Sequence, residues 1–542
     1  MRDARSCIKS LWGMSRPVRW RMAVNVGIGI LRIAASLGFV AASKLLVDIA
    51  TGNSSMAIGP AIGLFLGILA CQLGTTIFSS WWDSYCQVKS QNILRKNLFG
   101  HVLKSRWDGR ERFLSGDTVN RLEEDIRVVA DLLAGRIPGL LCTLIQLLAA
   151  SIYLLTLAPG LLWVLVILMV VAVLGSKMFF KQLRQLMTRI RARESELQQL
   201  MTESLQHRVL VLTLSTVERV LERFGWLQKD IEDNTKKRLD YNAVARGLMF
   251  AGFQAGHAAA FLWGVFGIID GTVTYGMMTA FLQLVGQVQR PISEFGRQIP
   301  AIITALTSIE RLMELQALEE EPTVETVTLT SAPGIVISHL SYAYPDSPEK
   351  VLDDFSCSFP AGMTSLIAGP TGIGKSTLLR LIMGLIQPSG GSVTIDGHPA
   401  GAALRGNFLY VPQGNTLLSG TIRSNLQMAD PNASEEQMKD ALKTAEAGFV
   451  LELPQGLDTP CGEVGGGFSE GQAQRICIAR ALLHPGSILV LDESSSALDA
   501  ATEERLLSNI QRQYAGSKTI LCISHRPAAE RFADQVVVMP ER

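Results

Sequence analysis

An excess of charge of either sign is missing from this chain. Its 542 residues carry 50 Lys and Arg against 49 Asp and Glu, a formal net charge of +1. That withholds the basic footprint with which nucleic-acid binders neutralise phosphates, so no nucleic-acid partner is expected. Paired cysteines are missing too. The eight cysteines (Cys7, Cys71, Cys86, Cys142, Cys357, Cys461, Cys477, Cys522) are scattered without a C-x-x-C pair. This excludes a disulfide framework or a zinc-thiolate site and leaves ordinary buried or membrane thiols. A cleavable signal is also absent. Arg2, Arg5, Lys9, Arg16, Arg19 and Arg21 precede an apolar run starting at Met22, but that run is long, has no small-residue cleavage site and is followed by several more. What the chain does have is apolar residues, 48% of the total, and a mean hydropathy of +0.24, high for a soluble protein. The length exceeds one core and calls for two or more domains.

The apolar stretches set the first domain, residues 1–315. Residues 8–20 mix Ile, Leu, Trp, Met and Val with basic side chains, as an interfacial helix does. Six stretches of spanning length follow at 22–46, 57–80, 137–157, 160–180, 248–269 and 277–303, paired as three hairpins. The basic N-terminus favours the cytosolic side, which also puts the charged stretches 83–136 and 181–246 in the cytosol. Residues 87–103 and 181–205 have helical periodicity, so membrane helices are expected to continue well below the bilayer. Residues 106–116 and 206–214 at their far ends are expected as short contact helices. In the sixth span Gln283, Gln287, Arg290, Glu294 and Gln298 share one helix face. Polar groups are costly against lipid, so this face lines a substrate cavity or bonds to neighbouring helices, the cavity being favoured for Arg290 and Glu294. Arg32 in the first span is another cavity candidate and could equally pair with Glu294. Pro291 suggests a kink.

Between residues 316 and 333 the composition turns acidic, with Leu318-Glu319-Glu320-Glu321-Pro322, as suits a linker. From 334 to 542 short strands give way to strand–helix units. An apolar run then opens into Gly369-Pro370-Thr371-Gly372-Ile373-Gly374-Lys375-Ser376-Thr377. This fits G-x-x-x-x-G-K-[ST], a phosphate-binding loop. Its glycines let backbone N–H groups curl around phosphate, and the following helix points its positive end at them. Lys375 reaches the β- and γ-phosphates and the Ser376 hydroxyl ligates Mg²⁺.

Several further motifs follow in order, and with them the C-terminal part resembles the ATPase domain of ATP-binding cassette (ABC) transporters. Tyr344 resembles the aromatic residue that stacks on adenine. Gln413, in Tyr410-Val411-Pro412-Gln413, is similar to the glutamine that senses Mg²⁺ and meets the membrane domain. Phe468-Ser469-Glu470-Gly471-Gln472 sits where the family has L-S-G-G-Q. Ile488–Glu493 resembles the Walker B strand, in which Asp492 holds Mg²⁺ through water and Glu493 is the base for the attacking water. Asp499, in Ser496-Ala497-Leu498-Asp499, is similar to the dimer-bridging loop, and His525 to the switch histidine on the γ-phosphate.

The resemblance covers nearly the whole chain. Gly116-Asp117, Arg121-Leu122 and Asp125 are similar to the first cytosolic loop of exporter-type members, residues 203–218 to the second, and Gly462-Glu463 to a segment that feels the opposite membrane half. It implies a half-transporter: an all-α transmembrane bundle of six helices with long cytosolic extensions, then an α/β P-loop ATPase domain with a helical subdomain. ATP and Mg²⁺ are the implied cofactors. Ser469, Glu470, Gly471, Gln472 and Asp499 then serve the ATP of a partner subunit, so a second copy, or a related half-transporter, completes each site. One departure stands out: Glu470 replaces the third-position glycine of the signature, and is expected to point away from the nucleotide. Alternating-access export of an amphipathic, peptide or lipid-like substrate across a bacterial cytoplasmic membrane is the implied activity. An importer on the same architecture, or an ATP-gated channel, fits the same motifs. With only about 21 residues ahead of the first span, far below domain size, no leader-processing peptidase domain is expected.

Overall fold

The computed structural model describes residues 4–107, 116–345, 347, 349–462 and 466–540. It has two compact units, Met1–Gly100 with Asp117–Gln316, and His101–Gly116 with Ala317–Arg542. The first is helical. In order it holds α1 (Ala4–Ser15), α2 (Arg19–Ala50), α3 (Ile58–Lys104), α4 (Gly116–Asn120), α5 (Ile126–Asp131), α6 (Ile137–Leu157), α7 (Pro159–Lys177), α8 (Phe180–Gln206), α9 (Arg208–Thr213), α10 (Val217–Ile269) and α11 (Tyr275–Gln316). Two π-turns, Arg121–Asp125 and Leu132–Arg136, join α4, α5 and α6 into one long helix.

Arg19–Ala50, Ile58–Lys104, Asp117–Leu157 and Val217–Ile269 are each long and apolar enough to cross a membrane, and α7 with α8, bent by 42° at their junction, makes a fifth. The sixth expected span lies on α11. That helix falls short of the same apolarity among the described residues, because its polar stripe interrupts the Leu and Val positions. Pro291, where the sequence suggested a kink, lies within the continuous span of α11. The expected interfacial helix 8–20 is broken as well. α1 stops at Ser15, residues 16–18 form a turn around Pro17, and Trp20 belongs to α2. Of the contact helices, 206–214 is realised as α9, whose Val209 is 79% exposed. In the expected one at 106–116, Arg106 and Trp107 are not helical, and 108–115 lie outside the described residues.

α2 and α11 run antiparallel. Gly276 N donates to Asp48 Oδ1 at 3.2 Å, and Gln287 Nε2 donates to Ser36 Oγ at 3.0 Å. The core between these helices, α6, α7 and α10 is made by Val40, Leu154, Leu165, Ala260, Phe281 and Leu284.

The second unit carries β1 (Ile335–Ala343), β2 (Lys350–Phe359), β3 (Thr364–Ala368), α12 (Lys375–Ile382), β4 (Gly390–Ile395), β5 (His398–Pro399), β6 (Phe408–Val411), β7 (Gly420–Thr421), α13 (Ile422–Gln427), α14 (Glu435–Thr444), β8 (Pro460–Cys461), α15 (Glu470–Leu483), β9 (Ile488–Asp492), α16 (Ala500–Tyr514), β10 (Thr519–Ile523), α17 (Pro527–Phe532) and β11 (Gln535–Val538). An antiparallel sheet has the order β2-β1-β4-β5, and a parallel one β11-β3-β10-β9-β6. β3, β9 and β10 are nearly continuous runs of buried residues, as strands covered on both faces must be. Register aligns their carboxyl ends: Ile523 pairs with Ile367 and with Asp492, and Val411 with Leu491. The loops after β3, β6, β9 and β10 therefore leave the sheet at one edge.

The linker is ordered within this unit. Glu321 N donates to Lys104 O at 2.9 Å and Arg106 N to Glu319 O at 2.8 Å. Glu320 meets His101 at 2.7 Å, and Glu321 pairs with Arg405 at 2.5 Å. These bonds explain why residues 101–107, expected with the membrane domain, group with the cassette.

Candidate functional site

The loop from Gly369 to Gly374 joins β3 to α12. Gly374 takes φ +111°, and a Cβ there would lie 2.8 Å from Val351 Cγ1. Conformation and space both demand glycine. The next residue, Lys375, is buried to 5% exposure and aims its Nζ back over the loop, at 2.9 Å from Gly369 O and 3.1 Å from Pro370 O. It also lies 3.0 Å from His525 Nε2.

Ser376 donates to Asp492 Oδ1 at 3.3 Å and Tyr410 to Asp492 Oδ2 at 3.4 Å. Burial raises the Asp492 carboxyl above its usual range, against the opposing pull of the Ser376 bond. Tyr410 is pushed up by burial and by the Asp492 charge. Glu493 follows β9 with φ +47°, a conformation that costs a non-glycine residue about 1–3 kcal/mol. Its N–H donates to Ile523 O at 3.0 Å, fixing the turn. The carboxylate accepts from Gln413 Nε2 at 2.8 Å and lies 3.5 Å from His525 Nε2. Lys375, Ser376, Gln413, Asp492, Glu493 and His525 thus converge from four loops. Tyr344 joins them indirectly: its hydroxyl lies 3.1 Å from Thr377 Oγ1 and accepts from Arg380 at 3.3 Å.

Ser469, Glu470, Gly471 and Gln472 are not brought to this cluster; no bond links them to it among the described residues. Ser469 caps α15, accepting from Gln472 N at 3.3 Å, while Gln472 Oε1 accepts from Ser469 N at 3.0 Å, a reciprocal capping box. A Cβ on Gly471 would lie 2.9 Å from Ala497 O. Glu470 has no such constraint: it is exposed, with ordinary helical backbone and no bonding partner among the described residues. Asp499 caps α16 through Thr502 N at 3.0 Å, and that bonding holds its carboxyl below the usual range. Glu463 lies outside the described residues.

Sequence reasoning passed over the side chains that hold these loops. Arg526 donates to Ser496 O and Leu498 O, each at 2.5 Å, and pairs with Glu503 at 3.2 Å. Glu503 is 1% exposed and also accepts from Ser495 Oγ at 2.6 Å. Gln474 of α15 holds the same loop through Ser496 Oγ and Ala497 N, both at 3.2 Å. Arg480 ties α15 to the Gln413 loop through Thr416 O at 2.9 Å. Arg380 stacks 4.9 Å over Trp107. Glu503 left one signal: with Leu506, Leu507 and Ile510 it completes a buried i, i+3, i+4, i+7 stripe.

In the membrane unit Glu294 pairs with Arg290 at 3.2 Å and accepts from Thr143 at 3.4 Å, so the alternative pairing of Arg32 with Glu294 is not formed; Arg32 is exposed. Gln287 bonds to Ser36, while Gln283 and Gln298 are half-buried. The deeply buried glutamine is Gln289, outside the predicted stripe, which donates to Phe253 O at 3.3 Å.

The chain matches the ABC transporter transmembrane region over residues 22–292, half its length, and the ABC transporter ATPase over residues 352–496. It is 28% identical to the uncharacterized ABC transporter ATP-binding protein YknV of Bacillus subtilis, over 90% of this chain and 82% of that one. It is 29% identical to the probable multidrug resistance ABC transporter ATP-binding/permease protein YheI of the same organism (83% and 78%). The same identity relates it to the ATP-dependent lipid A-core flippase of Desulfotalea psychrophila (83% and 80%). A solved bacterial Atm1-family ABC exporter with ATP bound shares the fold, at a TM-score of 0.77 and 24% identity over 97% of this chain and 94% of that one. The chain therefore belongs to the ABC transporters, as a multi-pass membrane protein of exporter type that couples ATP hydrolysis to transport.

Proposed function

We propose that the chain works as a homodimer whose two ATP sites each combine the loop cluster of one copy with the signature of the other. The observation that carries this is the split within one chain. Lys375, Ser376, Asp492, Glu493 and His525 converge within hydrogen-bond reach, while Ser469–Gln472 sit capped and exposed at the start of α15 without joining them. In this reading Tyr344 stacks on adenine, the backbone of residues 369–377 cradles the phosphates, and Ser469, Gly471, Gln472 and Asp499 face the ATP of the partner copy, with the Glu470 carboxylate at that surface but turned away from the phosphate.

Ser376 and Asp492, oxygen ligands 3.3 Å apart, with Gln413 in the adjoining loop, suit a small hard cation that keeps most of its waters. They would hold Mg²⁺, Asp492 through water, and the ion would supply positive charge against that developing on the phosphate. Glu493, positioned by Gln413, orients and deprotonates the attacking water. His525 is poised toward the γ-phosphate, and Lys375 supplies the fixed positive charge. Closure passes through contact helices such as α9, whose exposed Val209 and Leu212 need an apolar partner.

Arg32, Gln283, Gln287, Arg290, Glu294 and Gln298 line the path of an amphipathic, peptide or lipid-like substrate, moved outward by alternating access. The named activities of relatives, multidrug resistance and lipid A-core flipping, favour that class and the outward direction. Their bacterial sources favour the cytoplasmic membrane. The test is substrate-stimulated ATPase and vectorial uptake into inside-out proteoliposomes across a panel of amphiphiles and peptides. ATP-dependent accumulation inside is expected; hydrolysis without accumulation of any member overturns export.

A further inference from the structure

The cytosolic ends of the first two spans carry a group that hydrolysis and export leave unused. Trp20 and Arg21 precede the first apolar run, and Trp81 and Trp82 follow the second. The helices are antiparallel neighbours, so these ends meet: the rings of Trp20 and Trp82 lie 6.1 Å apart, edge to face. Phe78 stacks on Trp82 at 6.1 Å and Trp81 on Tyr85 at 5.6 Å. Trp20 and Trp81 are more than half exposed. This is the aromatic collar of a membrane–water boundary.

Within the collar the Arg21 guanidinium lies 5.1 Å over the Trp20 ring. Its Nε and Nη1 are shut off from solvent without a hydrogen bond, and so is the indole Nε1 of Trp82. Arg21 makes no ion pair among the described residues. The nearest acid on α3, Asp83, accepts instead from Ser79 at 3.2 Å. Arg19, two residues earlier, is the contrast. It stacks 3.9 Å over Trp12, and its donors reach Ser15 Oγ at 3.1 Å and Trp12 O at 2.5 Å. Arg19 is saturated by its own chain; Arg21 is not.

We propose that Arg21 and Trp82 form a headgroup site for an anionic phospholipid of the cytosolic leaflet. The guanidinium and the indole N–H turn out of their covered positions to donate to the lipid phosphate, and the acyl chains lie along exposed Phe78 and Trp81. A lone guanidinium favours an anionic headgroup over a zwitterionic one, whose own cation it would repel. The apolar rim favours a lipid over free phosphate. The assignment rests on the cytosolic N-terminus of the proposed topology, but lipid retention is read separately from hydrolysis and transport.

The test is native mass spectrometry of the full-length protein in detergent, with phosphatidylglycerol or phosphatidylcholine of matched chains added. The wild type is expected to retain phosphatidylglycerol about fivefold better, the effect of one cationic contact at the surface. Arg21→Gln should remove that preference, Trp82→Phe should weaken it, and Arg19→Gln should leave it intact, with basal ATPase unchanged in all three. Equal retention of the two lipids by the wild type overturns the site. So does an equal loss in Arg19→Gln, which would mean general basic charge. Displacement of the lipid by millimolar inorganic phosphate overturns it in favour of a free-phosphate site. Should Arg21→Gln fail to fold, Trp82→Phe decides alone, an unchanged preference overturning the site.

Discussion

The side-chain amide of Gln413 donates to Oε2 of Glu493 at 2.8 Å, joining the loop after β6 to the end of β9. The other carboxylate oxygen, Oε1, faces His525 Nε2 at 3.5 Å. Glu493→Gln keeps the shape but cannot take a proton. Hydrolysis should fall by about 10²–10⁴-fold while nucleotide binding is unchanged. Steady-state ATPase and equilibrium nucleotide binding on the same preparation check this; unimpaired turnover removes Glu493 from the role of base.

Arg526 neutralises a carboxylate that is 1% exposed and at the same time grips the carbonyls of Ser496 and Leu498. Arg526→Met leaves Glu503 buried without its cation. Breaking such a pair costs about 3–5 kcal/mol, and the lower end is expected because Arg526 is itself 34% exposed. Adding Glu503→Leu should recover much of that stability, since both charges are then gone, but not the hold on residues 496–498. Thermal unfolding of the full chain in detergent separates the outcomes: equal melting temperatures for the single variant and the wild type would show the pair to be immaterial.

Why the phosphate loop, the Walker strand and the switch histidine are legible in the sequence follows from this geometry. Each lies within a few residues of a buried parallel strand, and strand register does the rest. The braces are less legible because they join residues that no local period relates. Arg526 and Glu503 sit 23 residues apart on different helices or loops, and Arg380 finds Trp107 from beyond the membrane helices. In the membrane unit, periodicity located the polar stripe of α11 but not its partners. The i, i+4 spacing of Arg290 and Glu294 already allowed their pairing, but spacing could not tell that Gln289 would be the buried glutamine.

Burial, with help from the nearby Lys518 charge, lowers the His484 imidazole below its ordinary value of 6.5, and its Nδ1 accepts from Gly486 N at 3.3 Å. As pH falls through about 6.5, the unfolded chain takes up a proton that the folded one refuses. Unfolding then binds protons, so stability drops with acidification until the lowered folded value is reached. The raised Asp492 carboxyl acts with the opposite sign, in the carboxylate range. Comparing wild type with His484→Asn isolates the histidine: the variant should lose less melting temperature between pH 7.5 and 5.5. An equal loss in both would assign the slope elsewhere.

Glu470 and Gly471 are adjacent and should respond oppositely to substitution. Glu470 is exposed, has no bonding partner among the described residues and has helical backbone, so Glu470→Gly changes stability by no more than about 0.5 kcal/mol. It also leaves ATP turnover at the same order, since a carboxylate at the first turn suits the helix dipole and need not face the phosphate. Gly471→Ala places a Cβ 2.9 Å from Ala497 O. Either α15 or the loop carrying Asp499 must shift, at a cost of about 1–3 kcal/mol, and the exposed start of α15 shifts with it. ATPase rates and melting temperatures of the two variants side by side decide the matter. A rise in turnover by orders of magnitude in Glu470→Gly would mark the wild-type site as degenerate, with the carboxylate turned toward the phosphate.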